Sequence, residues 1–339
     1  MRSAAPALAA VLALALTSTA AAQTPTPTPT PTPIATPTPT PSPTPAPPPA
    51  ATLATSATGV FAGRRPTALT GRSFGVRVVL RPYVAGETVT VRVYRGSRKL
   101  KARALTLTPV AGNAAGVAQV HVKTARPGTL AIKASHRATP ALATVVASTL
   151  RVQALRPYAA IGSRGPVVRL LQASLAAEHY AVPRTGVFDA GTGDAVLAWR
   201  KVTGMARTMV ASEQVFGGLL AGRGTFKVRH PNDGRHVEAR LDKQVLALID
   251  GANVVAIYHM SSGKPSTPTV RGRFQVYTKT PGTNAKGMFD SNYFIRGYAI
   301  HGYPSVPIYN ASHGCLRVPN RDAPAIYNWL RIGDVVWVE

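Results

Sequence analysis

The chain has 339 residues, with 39 Lys and Arg against 13 Asp and Glu, a single Cys, 30 Pro and 29 Gly. The length points to two or three domains, and 45% hydrophobic residues argue against a wholly disordered chain. One Cys leaves no room for an intramolecular disulfide framework or a Cys-rich zinc or iron–sulfur site. A net charge of +26 calls for an anionic partner or anionic surroundings, without choosing among nucleic acid, acidic lipid and acidic cell-wall polymers.

The N-terminus indicates a compartment. Met1-Arg2 is a short positive start, Ala4 to Ala15 is almost entirely Ala, Val and Leu around Pro6, and small residues end at Ala20-Ala21-Ala22-Gln23. That order is the pattern of a secretory signal peptide over 1–22, cut after Ala22. The run is short for a membrane span of about 20 residues. Residues 23–52 form a Thr/Pro-rich disordered linker. Proline blocks helix and sheet, so the Thr-Pro repeats of 24–50 favour extended polyproline II, about 27 residues reaching on the order of 80 Å at roughly 3.1 Å per residue. It reads as a spacer that carries the folded part outward, or as a passive tail. Either way the chain is expected to be exported and extracytoplasmic.

From 53 to 152 the apolar residues alternate, as in Val89-Thr90-Val91-Arg92-Val93-Tyr94 and Val117-Ala118-Gln119-Val120-His121-Val122. Gly, Pro and Asn lie between the runs. Short alternating strands with turn signals predict an antiparallel, immunoglobulin-like β-sandwich serving as a spacer or adhesion module. His121 and His136 are isolated and read as structural or solvated.

From 155 to 216 the period becomes helical. Val167, Leu170, Leu171 and Leu175 share one face, Pro166 is placed to open a helix, and Asp189 to cap a second. The runs GSRGPVVRLLQASL and TGVFDAGTGDAVLAWRKVTGM resemble the small three-helix peptidoglycan-binding domain found beside wall enzymes. Trp199 reads as core packing.

From 223 to 339 strands return: His236–Leu241, Gln244–Ile249 and Val254–Tyr258, separated by turns at Asp242-Lys243 and Asp250-Gly251. A strand at Phe274–Tyr277, a short helix at Ala323–Leu330 and a closing strand at Val335–Val338 complete a mainly β domain. The predicted whole is multidomain and mainly β.

Residues 301–317 read HGYPSVPIYNASHGCLR. A thiolate is the reactive form of Cys, and a free thiol pKa of about 8.5 leaves little of it at neutral pH. A neighbouring imidazole can take the proton and hold the thiolate as an ion pair. Gly302 and Gly314 permit close backbone approach, and a turn of this kind can aim N–H groups at an oxyanion. The residues fit acyl transfer through a thioester. The eight His show no HExxH, His230 and His236 read as solvated, and no metal or cofactor is expected.

His301-Gly302 followed by Ser312-His313-Gly314-Cys315, Leu316 and Arg317 resembles the signature of the L,D-transpeptidase catalytic domain, the YkuD family. A weaker family block, Thr-Pro-x-Gly-x-Phe, is matched by Thr269–Phe274 with Val270 in the Pro position, and Asp322 fits a downstream Asp. The resemblance implies that Cys315 is the nucleophile and His301 the base, with the Gly302 carbonyl or a nearby group orienting the imidazole. It implies that His313, Gly314 and Cys315 supply oxyanion N–H groups, and that Ser312 and Arg317 shape the loop, Arg317 contacting the donor peptide. His313 is the rival base. The implied reaction joins peptidoglycan stem peptides by 3→3 cross-links with release of D-Ala. With water as acceptor the enzyme is an L,D-carboxypeptidase, and a non-catalytic wall-binding protein is a further alternative. A sortase lacks its TLxTC context here, and NlpC/P60 peptidases carry Cys before His. The remaining partners expected are anionic wall polymers, with no nucleic acid, and no membrane after signal removal.

Overall fold

The computed structural model describes residues 45–339 except 64, 111 and 113. The expected signal peptide, and the linker as far as residue 44, lie outside the described residues.

The alternating segment forms two sheets. Strands β1 (Thr52–Thr58), β3 (Ser73–Arg81), β6 (Thr108–Pro109) and β7 (Gly116–Lys123) make a four-stranded sheet in the order β1-β3-β7-β6. Strands β2 (Thr67–Leu69), β4 (Thr88–Arg95), β5 (Arg98–Thr106), β8 (Gly128–His136) and β10 (Leu150–Leu155) run in the order β2-β10-β8-β4-β5, and β9 (Val145–Val146) pairs with β8. Alternate residues of both sheets, among them Val76, Val78, Val120, Val91, Ile132 and Val152, enter one hydrophobic cluster. Burial of one face of each strand holds the register, because a slip of one residue would turn that whole set to water. Strand β1 begins at Thr52, the last residue assigned to the linker, and β10 runs three residues past 152.

Three helices follow: α1 (Pro166–Ala177), α2 (Ala190–Val202) and α3 (Glu213–Leu220), the last extending past 216. Pro166 opens α1, and the Asp189 carboxylate accepts the Thr192 N–H at 2.8 Å to cap α2. These helices do not own their core. Leu171, Leu175, Trp199 and Phe216 share a cluster with Val245, Ala247, Ile249 and Ile257 of the following sheet. A segment of about 60 residues buries too little by itself to be more than marginal, and the shared cluster supplies the rest. Trp199 is 1% exposed, and its Nε1 donates to the Arg223 carbonyl at 2.9 Å.

The C-terminal segment holds two more sheets. Strands β11 (Arg235–Arg240), β12 (Val245–Asp250), β13 (Asn253–His259), β14 (Gly272–Gln275) and β19 (Val335–Val338) run in the order β13-β12-β11-β19-β14. Strands β15 (Thr278–Thr283), β16 (Phe289–Ile295), β17 (Tyr298–Tyr303) and β18 (Leu316–Pro319) run in sequence order. Helix α4 (Ala323–Trp329) joins their core, where Val237, Leu248 and Val336 meet Phe294, Ile300, Leu316 and Ile326. The expected closing strand β19 is interior: it lies parallel to β11, and β14 takes the edge. His236 is not solvated but fully buried, its Nδ1 donating to the Gly234 carbonyl at 2.8 Å and its Nε2 lying 3.5 Å from Glu238. His230 is also structural, stacked on Trp337 with ring centroids 3.8 Å apart.

Candidate active site

Strands β17 and β18 are parallel neighbours, with Ile300 opposite Leu316, His301 opposite Arg317 and Gly302 opposite Val318. Side chains alternate along a strand, so this register sorts the motif. Ile300, Leu316 and Val318 turn into the core, each 1% exposed or less. His301 and Arg317 take the other face, and Cys315, just before β18 begins, lines a cavity with them. A 14-residue gap in sequence is thereby closed by a single strand pairing.

The cavity has a volume of about 360 Å³ and is completed by Lys286, Met288, Gly297, Tyr298, Tyr303 and His313. The His301 ring packs edge-on against Tyr303, and the Arg317 guanidinium lies 4.0 Å from the Tyr303 ring centre. His301 is 2% exposed, and its Nδ1 donates to the Gly302 carbonyl at 2.8 Å. A carbonyl can only accept, so this bond places the proton on Nδ1 and leaves the Nε2 lone pair as the basic position. Burial pushes the His301 imidazole down to about 4; the Gly302 bond opposes this and Arg317 adds to it. Burial also raises the Cys315 thiol, against the Ala299 N–H and the nearby Arg317 and Lys286 cations. Both shifts favour the uncharged forms of the thiol and the imidazole that share this cavity.

The turn carrying Cys315 is fixed from behind. Ser312 is fully buried; its hydroxyl donates to the Cys315 carbonyl at 2.6 Å and accepts the Gly314 N–H at 3.1 Å. The Ser312 N–H donates to Ser262 O, and the Ser312 carbonyl accepts from Lys264 N, both at 2.9 Å. Ser261 and Arg317 exchange both backbone bonds at 2.9 Å. The weaker sequence block enters here, because the Thr269 hydroxyl accepts the Gly263 N–H at 2.9 Å. A Cβ on Gly263 would lie 2.2 Å from the Thr267 carbonyl, so only glycine lets these backbones meet.

The residues singled out by sequence fall into two groups. Cys315, His301, His313 and Arg317 line the cavity; Gly302, Ser312 and Gly314 hold its walls without lining it. His313 is exposed, with Nε2 3.4 Å from Lys264 Nζ, and lacks the carbonyl bond that orients His301. The Gly314 N–H, expected to face an oxyanion, is engaged by Ser312. Tyr298 and Tyr303 bracket His301 on β17 and were not singled out by sequence; the chemical motif gives no reason to pick a tyrosine. Asp322 is half-buried, and burial pushes its carboxyl up to about 7, with Asp194 adding and Arg321 opposing.

A family model described as the L,D-transpeptidase catalytic domain, YkuD, matches residues 234–338. Among solved structures the chain is similar to the L,D-transpeptidase of Xylanimonas cellulosilytica DSM 15894, at 33% identity and a TM-score of 0.52, covering 55% of this chain and 98% of that one. An L,D-transpeptidase from Stackebrandtia nassauensis matches at 19% identity and a TM-score of 0.35, over 53% of this chain and 94% of that one. The catalytic domain of an Enterococcus faecium L,D-transpeptidase matches at 24% identity and a TM-score of 0.28, over 32% of this chain and 98% of that one. No curated protein sequence matches the chain. The family model spans the strands that carry His301 and Cys315, and the Xylanimonas structure is matched along nearly its whole length, so the chain belongs to the L,D-transpeptidase family.

Proposed function

We propose that this protein is an exported cysteine L,D-transpeptidase that forms 3→3 cross-links between peptidoglycan stem peptides. The observation that carries the reading is one cavity lined by both Cys315 and a buried His301 whose Nδ1 proton is held by the Gly302 carbonyl. Family membership narrows the reaction to transpeptidase-type acyl transfer.

Cys315 Sγ attacks the carbonyl carbon of the third stem residue while His301 Nε2 takes the thiol proton. Because the thiol is raised and the imidazole lowered, proton transfer accompanies bond formation rather than preceding it. The tetrahedral oxygen carries the negative charge. The N–H groups of His313 and Cys315 are its donors, since Gly314 N–H is taken by Ser312. Collapse breaks the bond to D-Ala, whose amine leaves with the proton from His301, and a thioester remains. An amine of a neighbouring stem then attacks, His301 removes its proton, and the thiol is regained as the new amide forms. One amide replaces another, so the exchange needs no nucleotide. Arg317, fixed over Tyr303 at the cavity, is placed to meet the donor peptide's carboxylate.

The other segments fit this work as wall attachment. Residues 1–22 act as the signal peptide and 23–52 as the linker. Residues 53–152 form a β-sandwich spacer, 155–216 a peptidoglycan-binding helical domain, and 223–339 the catalytic domain. Anionic wall polymers are the partners of the positive charge.

The test is mass spectrometry of a disaccharide-tetrapeptide incubated with the enzyme, with Cys315→Ala and with His301→Ala. A dimer lacking one D-Ala, made by the unaltered chain alone, is the expected product. Tripeptide without dimer would make the protein an L,D-carboxypeptidase. Unchanged substrate that a related enzyme does process would leave only a wall-binding role.

A further inference from the structure

The positive charge is not spread evenly along the chain. Residues 53–152 contain sixteen Lys and Arg and one acidic residue, Glu87. Glu87 is itself unavailable at the surface. It is 7% exposed, accepts the Thr139 hydroxyl at 2.5 Å and lies 3.6 Å from His136. The module therefore presents cations with no carboxylate of its own to answer them.

The register concentrates some of them on one face. In the six-stranded sheet Arg92 is directly opposite Lys133, and in the neighbouring row Arg151 is opposite Ala131, which is opposite Tyr94, which is opposite Lys99. The residues between them along β4, β8 and β10 (Val91, Val93, Ile132 and Val152) are buried, so this set points away from the core. Like charges directly opposite on neighbouring strands are destabilising, and among the described residues no carboxylate on the face answers them. Lys133 Nζ lies 5.5 Å from the Tyr94 ring centre, and one guanidinium N–H of Arg92 is spent on Ser135 Oγ at 3.0 Å, leaving its other donors free. The four-stranded sheet differs: Arg77 is opposite Gln119, and Lys123 is opposite Ser73.

We infer that the outer face of the six-stranded sheet, centred on Arg92, Lys133 and Arg151, binds a linear phosphodiester polymer of the cell wall. This inference deepens the reading of the chain as wall-associated and rests on it. A polymer of repeated phosphates supplies the missing anions to several cations at once, and a guanidinium fork matches two phosphate oxygens. The face is poorly built for nucleic acid. Its aromatic, Tyr94, is occupied by Lys133 and offers no free stacking platform for bases, and a sheet face presents no helix to a groove. Held this way, the module fixes the enzyme to a second wall polymer while the catalytic segment works on stem peptides.

The test titrates the whole chain with fluorescently labelled poly(glycerol phosphate) at low and at raised salt. Two triple variants remove equal charge: Arg92→Gln/Lys133→Gln/Arg151→Gln on this face, and Arg77→Gln/Arg81→Gln/Lys123→Gln on the other sheet. The expected result is salt-sensitive binding that falls about tenfold or more in the first variant, by loss of phosphate contacts, and much less in the second. Equal losses in both would overturn the face, leaving only diffuse charge. Binding of poly-glutamate or duplex DNA as tight as the phosphate polymer would overturn the choice of ligand, and absence of binding by the unaltered chain would overturn the inference outright. Circular dichroism confirms that each variant is folded. Turnover of soluble tetrapeptide should be unchanged in both, so failure of this inference is separable from failure of the transpeptidase reading.

Discussion

Lys201 Nζ lies 2.7 Å from His259 Nδ1 in the interior of the protein, with Lys201 2% and His259 1% exposed. The same amine reaches the Gln244 carbonyl at 3.0 Å and the Met260 carbonyl at 3.1 Å, and His259 Nε2 lies 3.0 Å from the Val306 carbonyl. A side chain from α2 thus ties the start of β12 to the end of β13. From there Ser261 and Ser262 run directly to the turn that carries Cys315. Lys201→Met keeps a similar side-chain length but removes the nitrogen, leaving the Met260 carbonyl and the His259 Nδ1 buried without this partner, while the Gln244 carbonyl keeps the Met260 N–H at 3.1 Å. The expected cost is about 2–4 kcal/mol, read as a lower urea midpoint. A midpoint equal to that of the unaltered chain would mean the link is neutral.

The same lysine sets a pH dependence. Burial pushes Lys201 down to about 6, with Arg207 adding and Asp194 opposing. An unfolded lysine holds its proton up to about 10.4, so above pH 6 the unfolded chain binds more protons than the folded one, and stability rises with pH. His259, pushed by burial to about 3, acts in the same sense but over the range from 3 up to its unfolded value of about 6.5. Asp322, raised by burial to about 7, acts in the opposite sense over about 4–7 and blurs that lower window. Between about pH 7 and 8 Lys201 stands clear of both. The unfolding free energy should climb there by up to about 1.4 kcal/mol per pH unit, and the climb should vanish in Lys201→Met. Parallel slopes in the two proteins would show that Lys201 keeps its proton at neutral pH.

The Cys315–His301 pair makes a kinetic prediction. Because burial lowers His301 to about 4, the imidazole is already neutral at pH 5. The acid limb of kcat/KM for acylation should therefore lie near pH 4, well below the ordinary histidine value of about 6.5. A limb near 6.5 would mean that the imidazole is solvated before substrate binds. His301→Gln should lower acylation by about 10²–10⁴-fold without moving the urea midpoint by a comparable amount.

How far this was legible in the sequence depends on what kind of signal each part leaves. The strands of the first module were marked by strict alternation, because each buries only one face. The Cys315–His301 pair was marked by chemistry, since few other arrangements place His-Gly ahead of Ser-His-Gly-Cys around the sole thiol. The proton on Nδ1 of His301 was not legible, because it depends on where the Gly302 carbonyl points. The place of β19 between β11 and β14 was hidden because a continuous apolar strand reads alike at an edge or in the middle. Lys201 escaped altogether: one lysine in a helix ordinarily marks the solvent side, and only the shared core between α2 and the sheet puts it inside. His236 was misread for a related reason, since its partner Glu238 follows two residues later on the same strand and becomes buried with it.

The turn before Cys315 gives the last prediction. Gly314 has φ of +113°, which L side chains rarely adopt, and a Cβ there would lie 2.4 Å from Cε1 of Tyr298. Ser312 holds the same turn from its other side through Cys315 O and Gly314 N. Gly314→Ala must therefore strain the backbone and displace a cavity wall, whereas Ser312→Ala removes two hydrogen bonds and leaves the space open. The glycine variant should lose thioester formation almost completely, with a backbone penalty of about 1–3 kcal/mol beyond the clash. Ser312→Ala should slow acylation by about 10–100-fold, the rate equivalent of a few kcal/mol of lost positioning. Ser312→Thr keeps the hydroxyl and should recover most of that rate. Stopped-flow loss of the Cys315 thiol on reaction with a tetrapeptide donor reads all three. If Ser312→Ala reacts as fast as the unaltered chain, the hydroxyl is not what aims the sulfur, and the bracing would fall to the Ser261–Arg317 and Ser262–Ser312 backbone bonds alone.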